Sequence, residues 1–462
     1  MEGRDPDPGQ TTEGARARGL AMSLSTSTTV RKLQRSLHVK AKAEPCFRFY
    51  SLWDKVCRED VLKEAYRRNR TNGGAAGVDG ETFEQIEAYG LERWLGNLEQ
   101  ELRAKTYRPQ PLLRVWISKS NGGRRPLSIP VIRDRVAEMA MYLVLLPSFE
   151  ADMLPQQYGF RPRKDAKMAV RSVYFHLTQW NRREVVDCDL SDYFAMIPHG
   201  PLMKCIARRV SDGQVLATIK RWLEAPVVER HSRGERRNTE AKDRHRGTAQ
   251  GGVFSPMAAN LYFRRFLLAW SKFGIEKRLD ARVVNYADDF VICCRPGNGR
   301  AAMAEMARLM ARLGLQVNER KTSLVSLPQQ TFDFLGYTFG RFYGRHGRSY
   351  LGTRPSRKAV SHAIQRIHEE TSRRWLTNTA EKRVEELNRL VRGWCAYFDQ
   401  GPVSRAHRIV RVYTERRLRR WLMKKRKRRG TGYRQYPDEY LYGKLGLFKP
   451  PGMSMSRSSA KA

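Results

Sequence analysis

Two runs of β-branched and apolar residues enclose a pair of adjacent carboxylates at Val283-Val284-Asn285-Tyr286-Ala287-Asp288-Asp289-Phe290-Val291-Ile292, and few folds tolerate that pattern. Strand propensity on both sides predicts a hairpin with Asp288 and Asp289 at its tip. Two acids beside buried strands are costly unless a cation or a partner neutralises them. A pair of Mg²⁺ ions roughly 4 Å apart, the arrangement that serves nucleotidyl transfer, would do so, and three carboxylates are a usual minimum for holding it. Standing alone, the motif would more readily describe a solvent-facing Asp-Asp turn, because short motifs match by accident.

A second acidic strand end lies upstream, in Glu184-Val185-Val186-Asp187-Cys188-Asp189-Leu190-Ser191-Asp192-Tyr193-Phe194. Asp189 sits where a strand terminus would aim it at the same metals. Asp187 and Asp192 compete for that role on spacing alone, and period-two alternation puts Asp187 on the same face as Asp189.

Charge narrows the partner. Lys and Arg number 87 against 47 acidic residues, a formal net charge of +40, and a surface of that sign binds polyanions by releasing condensed counterions. Apolar residues at 41% and aromatics at 10% exclude a disordered polymer. The seven cysteines form no CxxC pair and no zinc spacing, so they read as reduced thiols of a cytoplasmic, nucleic-acid-associated protein. No apolar run is long enough to span a bilayer and no signal-peptide core precedes the fold, so no membrane partner is expected.

A disordered or weakly ordered tail is expected over residues 1–45, since the first 30 are rich in Gly, Ser, Thr and Ala with few bulky side chains. Helices follow around Leu52 to Asn69 and Leu91 to Ala104, then a hairpin with strands Leu112 to Ser118 and Arg125 to Ile129 joined through Asn121-Gly122-Gly123. Short strands at Val185 to Asp189, Val283 to Cys294, Leu315 to Val325 and Phe332 to Phe339 alternate with helices, which predicts an α+β class. Beyond Pro355 the spacing is helical: Val360, Ile364 and Ile367 share one face, and Val384, Leu387, Val391, Trp394 and Phe398 another. A last helix near Arg411 to Arg429 sets Leu418, Trp421 and Leu422 among Arg and Lys, a composition suited to RNA contact.

Eight blocks, in order, resemble the reverse transcriptases encoded by group II introns, which also act as maturases. They are Gly77-Val78-Asp79-Gly80, Arg125 to Pro130, Tyr158 to Pro162, Asp189 to Phe194, Ala249 to Pro256, Tyr286 to Asp289, Asn318 to Thr322 and Phe334 to Tyr337. Leu387 to Phe398 is similar to the maturase thumb, or X region, so the resemblance runs from about residue 73 to 450. It implies a right-hand polymerase: fingers over 46–185, a palm with an antiparallel sheet over 186–345, an all-helical thumb and X region over 346–450, and a tail over 451–462.

The resemblance also assigns roles. Asp189, Asp288 and Asp289 become the triad for two Mg²⁺ ions, which resolves the competition with Asp187, and the Leu190 carbonyl becomes an extra ligand. Lys119 and Arg125 match the triphosphate-binding pair; a point charge and a guanidinium fork both suit phosphate oxygens. Tyr193 matches the aromatic beneath the incoming sugar, with palm core as its alternative. Gln250 and Gly251 would sit against the nascent base pair, where a missing side chain admits nucleic acid. Lys321 is similar to a lysine that protonates departing pyrophosphate, or it makes a structural salt bridge.

Implied partners are the group II intron RNA, an RNA template with a DNA primer, target DNA and dNTPs. The implied function is target-primed reverse transcription with help in splicing. Ala195 departs from the family, which often carries Asp there, and altered local packing rather than lost activity is expected. No Cys/His-rich nuclease module follows Pro450, so insertion without second-strand cleavage is expected. Two rivals remain: a non-catalytic RNA chaperone, and a reverse transcriptase used in DNA repair or defence.

Overall fold

The computed structural model describes residues 26–118, 123–231, 234–344 and 346–450. Helices and short sheets alternate in an α+β fold. One compact unit takes the chain up to Ala169 together with Val186–Cys294 and Asn298–Ser323; a second takes Val170–Val185, Arg295–Gly297 and the chain from Leu324 onward. One of their boundaries falls between Val185 and Val186 and none falls at 345; the units group what packs together, whereas the expected boundaries follow the motif blocks. No helix among the described residues is long and apolar enough to cross a membrane.

The tail expected over 1–45 gives way to a helix, α1 (Thr28–Ala43), capped by the Ser27 hydroxyl and burying Val30, Leu37 and Ala41. Val30, Leu37 and Ala41 lie at i, i+7 and i+11, a stripe whose few apolar residues are diluted by Lys and Arg, which is why composition concealed it. After a short helical turn at Trp53–Val56, the expected helices are present as α2 (Glu59–Asn72) and α3 (Leu91–Arg103).

The spine of the first unit is α4 (Ile132–Glu150), buried on nearly every side, Asp134, Arg135 and Glu138 included. Helix α1 lies along it: the Gln34 amide donates to the Leu143 carbonyl at 2.9 Å, and a His38 ring nitrogen meets the Pro147 carbonyl at 3.0 Å. The block at Gly77 packs on the start of the same helix. A Cβ at Gly77 would stand 2.6 Å from the Val131 Cα, a close approach only glycine allows.

Strands β1 (Leu112–Ser118) and β2 (Arg124–Ile129) pair antiparallel, as expected. The residues expected to join them lie largely outside the described ones. Between α5 (Ala166–Thr178) and α6 (Gly213–Leu223) comes β3 (Glu184–Cys188). A hairpin the sequence did not suggest, β4 (Val227–His231) with β5 (Gly234–Asn238), then adds to β1 in parallel, giving the order β2-β1-β4-β5. It is read poorly because β5, Gly-Glu-Arg-Arg-Asn, has no apolar alternation. The chain continues through α7 (Ser255–Lys272), the antiparallel pair β6 (Ala281–Tyr286) and β7 (Asp289–Cys294), and α8 (Gly299–Arg312). Strand β7 neighbours β3.

In the second unit, β8 (Ser323–Ser326) forms only the end of the strand expected from Leu315. The expected strand Phe332 to Phe339 is broken in two, β9 (Phe332–Phe334) and β10 (Tyr337–Tyr343), the latter paired with β11 (Ser349–Pro355). Gly336 (φ +80°) makes the break and packs on Phe398, while the Tyr337 hydroxyl donates to the Tyr397 carbonyl at 2.6 Å. Helices α9 (Arg357–Glu370), α10 (Ala380–Tyr397) and α11 (Ser404–Lys425) share one core, in which Ile367, Val384, Leu387 and Val391 meet Leu418, Trp421 and Leu422. Those last three therefore face inward. The exposed side of α11 carries Arg405 and Arg408, three residues apart, and, two turns on, Arg416 and Arg420, four apart.

Arg209 pins the N-terminal segment to the first unit. Fully buried, its guanidinium donates to both Asp152 oxygens at 2.8 and 2.6 Å and to the carbonyls of Ala41, Glu44 and Phe47. Removing one partner of such a pair costs about 3–5 kcal/mol because the other stays buried and unpaired. Arg209→Met should therefore lower the urea midpoint by that amount of stability; a midpoint within error of the parent would show that the pin contributes nothing.

Candidate active site

The Asp-Asp turn forms as expected, and its bracing was not foreseen. Tyr286 pairs with Asp289 as the last rung of β6–β7, leaving Ala287 and Asp288 as a two-residue loop, with Ala287 at φ +59°. Two-residue hairpin loops need positive φ, which an alanine adopts only when held. Fully buried Asn285 holds it, donating from Nδ2 to the Ala287 carbonyl at 2.8 Å. The Tyr158 amide bonds to the Asn285 carbonyl at 2.9 Å, and a Cβ on Gly159 would stand 2.3 Å from the Ala287 nitrogen. The Asn260 side chain on α7 donates in turn to the Gly159 carbonyl at 2.7 Å. The Tyr158 block thus backs the turn, leaving Asp288 half-buried and Asp289 exposed.

Asp189 follows β3 and is fixed by the Asn318 to Thr322 segment. Its carbonyl accepts from the Asn318 amide at 2.8 Å, its amide donates to the Thr322 hydroxyl at 3.2 Å, and its carboxylate pairs with the Lys321 ammonium at 3.2 Å. The Ser191 amide bonds to the Gln316 carbonyl. These bonds flank Leu190 and leave its carbonyl outside the ladder. Asp187 lies within β3, half-buried, and Asp192 is exposed in a left-handed conformation. Among the described residues no three His, Cys, Asp or Glu side chains converge to enclose a metal ion. The structure brings Asp189 to Lys321 and places β3 beside β7.

Tyr193 is buried in the core. It is 2% exposed, its hydroxyl donates to the Ala259 carbonyl on α7 at 2.7 Å, and its ring meets Phe263 edge-on. Burial, then the nearby Tyr262 and Asp288, push its phenol well above the ordinary range. This corrects the expectation that Tyr193 underlies the sugar; the adjacent aromatic that keeps surface is Phe194, half-buried. Its carbonyl accepts from the Thr248 amide at 2.8 Å, and the Ala195 carbonyl lies 3.3 Å from where a Cβ on Gly247 would be. The turn holding Ala195 is therefore stitched to the approach to Gln250.

The Gln250 carbonyl accepts from the Ser128 amide on β2 at 2.7 Å. Gly251 follows at φ +119°, and a Cβ there would stand 2.5 Å from the Ser128 carbonyl oxygen, so the loop fits β2 only with glycine at that position. Arg125, half-buried on β2, faces Ile117 across the hairpin. Lys119 lies outside the described residues.

Comparison with known proteins matches residues 117–339 to "Reverse transcriptase (RNA-dependent DNA polymerase)" and 360–437 to "Group II intron, maturase-specific domain". Protein YkfC of Escherichia coli (strain K12) is 31% identical over 374 residues, covering 72% of this chain and 94% of YkfC. The group II intron-encoded protein LtrA of Lactococcus lactis subsp. cremoris is 28% identical over 46% of this chain, and the match spans only 34% of LtrA. The chain belongs to the group II intron reverse transcriptases and maturases. It is an RNA-directed DNA polymerase.

Two carboxylates of this reverse transcriptase escaped the sequence reading, although acids at i and i+4 inside the apolar run of α4 were a visible anomaly. Asp134 accepts from the Tyr107 hydroxyl at 2.7 Å and the Gln110 amide at 2.8 Å, anchoring the root of β1; burial raises it to about 6. Glu138 accepts from the Phe254 amide at 3.1 Å, at the end of the Gln250 loop, and burial raises it to about 7 from 4.5. A carboxyl whose folded pKa is raised contributes stability that is full below its unfolded pKa and lost as pH climbs through the folded value. For Glu138 the window runs from about 4.5 to about 7, and the loss is on the order of 3 kcal/mol. Glu138→Gln should flatten stability against pH across that window in denaturant titrations; parallel curves for variant and parent would remove Glu138 from the pH response.

Proposed function

We propose that the enzyme copies intron RNA into DNA by target-primed reverse transcription and assists the splicing of its own group II intron. The observation that carries this reading is the braced Asp288–Asp289 turn on β7, beside the strand that delivers Asp189 to Lys321, in a chain that continues into a maturase-specific region. The right-hand arrangement belongs to the same proposal, with fingers over 46–185, palm over 186–345 and thumb with X region over 346–450.

Asp189, Asp288, Asp289 and the Leu190 carbonyl would hold the metal. All are oxygen donors, the set a hard divalent cation prefers, and the Leu190 carbonyl stands outside the backbone ladder while that of Asp189 is already occupied. Two Mg²⁺ ions, when bound, would supply an activated primer hydroxyl and neutralise the pyrophosphate leaving group. Lys119 and Arg125 would bind the dNTP triphosphate, and Gln250 with Gly251, seated on β2, would back the nascent base pair. Lys321, 64% exposed at its side chain, would exchange Asp189 for the departing phosphate. The role once expected of Tyr193 passes to Phe194, whose backbone the Thr248 amide holds in place.

The basic stripe of α11 and the net charge of +40 fit intron RNA, the RNA template with its DNA primer, and target DNA. Asp288→Ala should cut primer extension on RNA at least about a hundredfold with the unfolding midpoint kept, while splicing of the flanking intron RNA with added protein persists. Extension at the parental rate in Mg²⁺ would exclude these carboxylates, and absence of splicing assistance from the parent protein would remove the maturase half. Phe194→Ala should admit ribonucleotides where Tyr193→Ala mainly lowers stability; unchanged sugar selectivity in the Phe194 variant would deny the ring that role.

A further inference from the structure

The second unit shows an aromatic surface that the polymerase residues do not use. On α5, Val170, Val173 and Leu177 turn inward, and the helical period leaves Tyr174 and Phe175 outside, 41% and 49% exposed. Trp180, just beyond the helix, is 54% exposed and meets Phe175 edge-on at 6.3 Å. On the β10–β11 hairpin, Tyr350 is 39% exposed, stands opposite Phe342 in the register, and lies within electrostatic range of Tyr174. Guanidinium groups lie among these rings: Arg171, exposed, stands three residues before Tyr174 on α5, and Arg354, half-buried, lies over Phe342 at 4.6 Å, whereas Arg182, over Trp180 at 5.3 Å, is itself buried.

Contiguous exposed rings mark an interaction surface, and the charge decides its occupant. A protein partner docking on these rings would have to desolvate the cations among them. A single-stranded nucleic acid satisfies both at once, since its bases stack on aromatic faces while its phosphates take up the guanidinium charge. We infer that Tyr174, Phe175, Trp180 and Tyr350 form a stacking platform for single-stranded nucleic acid, additional to the residues that hold primer, template and dNTP at the aspartates. The inference rests on the reading of this chain as a polymerase of nucleic acids.

The test uses the full chain and a fluorescein-labelled oligouridylate of about 12 nucleotides, within the site size of such surfaces, followed by anisotropy at fixed salt. Trp180→Ala and Phe175→Ala should each weaken binding about tenfold, and Trp180→Phe should restore most of it. Because these rings are exposed, the unfolding midpoint and primer extension on a short primer–template should match the parent, a control that also reads the polymerase assignment separately. Parental oligouridylate affinity in both alanine variants would overturn the platform. So would a change in sedimentation from dimer to monomer with affinity unaltered, which would mark the rings as a contact between copies.

Discussion

Two carboxylates side by side at the tip of a buried hairpin repel each other and resist burial, so the polypeptide around them has to be rigid. Asn285, with no exposed surface, ties the turn internally, and Gly159 brings a second segment to a distance no side chain would permit. The rest of the first unit follows from that requirement. Asn260 on α7 holds Gly159, and Gln157 holds the Asn260 carbonyl at 3.0 Å, so a long buried helix serves as the fixed reference for a turn whose own residues carry the unfavourable charge. Preorganisation of this kind places the cost of ordering in the fold rather than in the reaction step.

The same economy is visible one layer further in. Helix α4 carries Asp134 and Glu138 where neither reaches solvent, and each carboxyl accepts a backbone amide at the root of a segment proposed to contact substrate. Both are raised by burial, to about 6 and about 7, so the scaffold beneath the β1–β2 hairpin and the Gln250 loop titrates close to neutrality. Arg209 solves the opposite problem: a buried cation bonded to five oxygens of four residues draws α1 and its following turn onto the unit.

Several motif blocks that look like substrate signatures in the sequence turn out to hold other motif blocks. Gly77 admits Val131, Gly159 admits Ala287, Gly251 admits the Ser128 carbonyl, and Gly336 admits Phe398. The Asn318 to Thr322 segment grips Asp189 by three separate bonds. A linear reading sees such residues as a list in order; in the fold they contact one another.

The amino-acid order by itself determined the elements with clear period and breakers: the Asp288–Asp289 hairpin, β1–β2, and the first two helices beyond Pro355, whose apolar spacing is unambiguous. It also determined the polyanion partner, because net charge is a sum over residues and needs no coordinates. Tertiary structure decided what local pattern leaves degenerate. Tyr193 and Phe194 are both aromatics after an acid, and only packing against Phe263 and the Ala259 carbonyl sends one inward. Leu418 and Trp421 stand among arginines in sequence yet lie on the inner face of α11. The helix at Thr28–Ala43 forms because α4 and Arg209 receive it, a stabilisation that comes from residues more than a hundred positions away and so leaves no mark on its own composition.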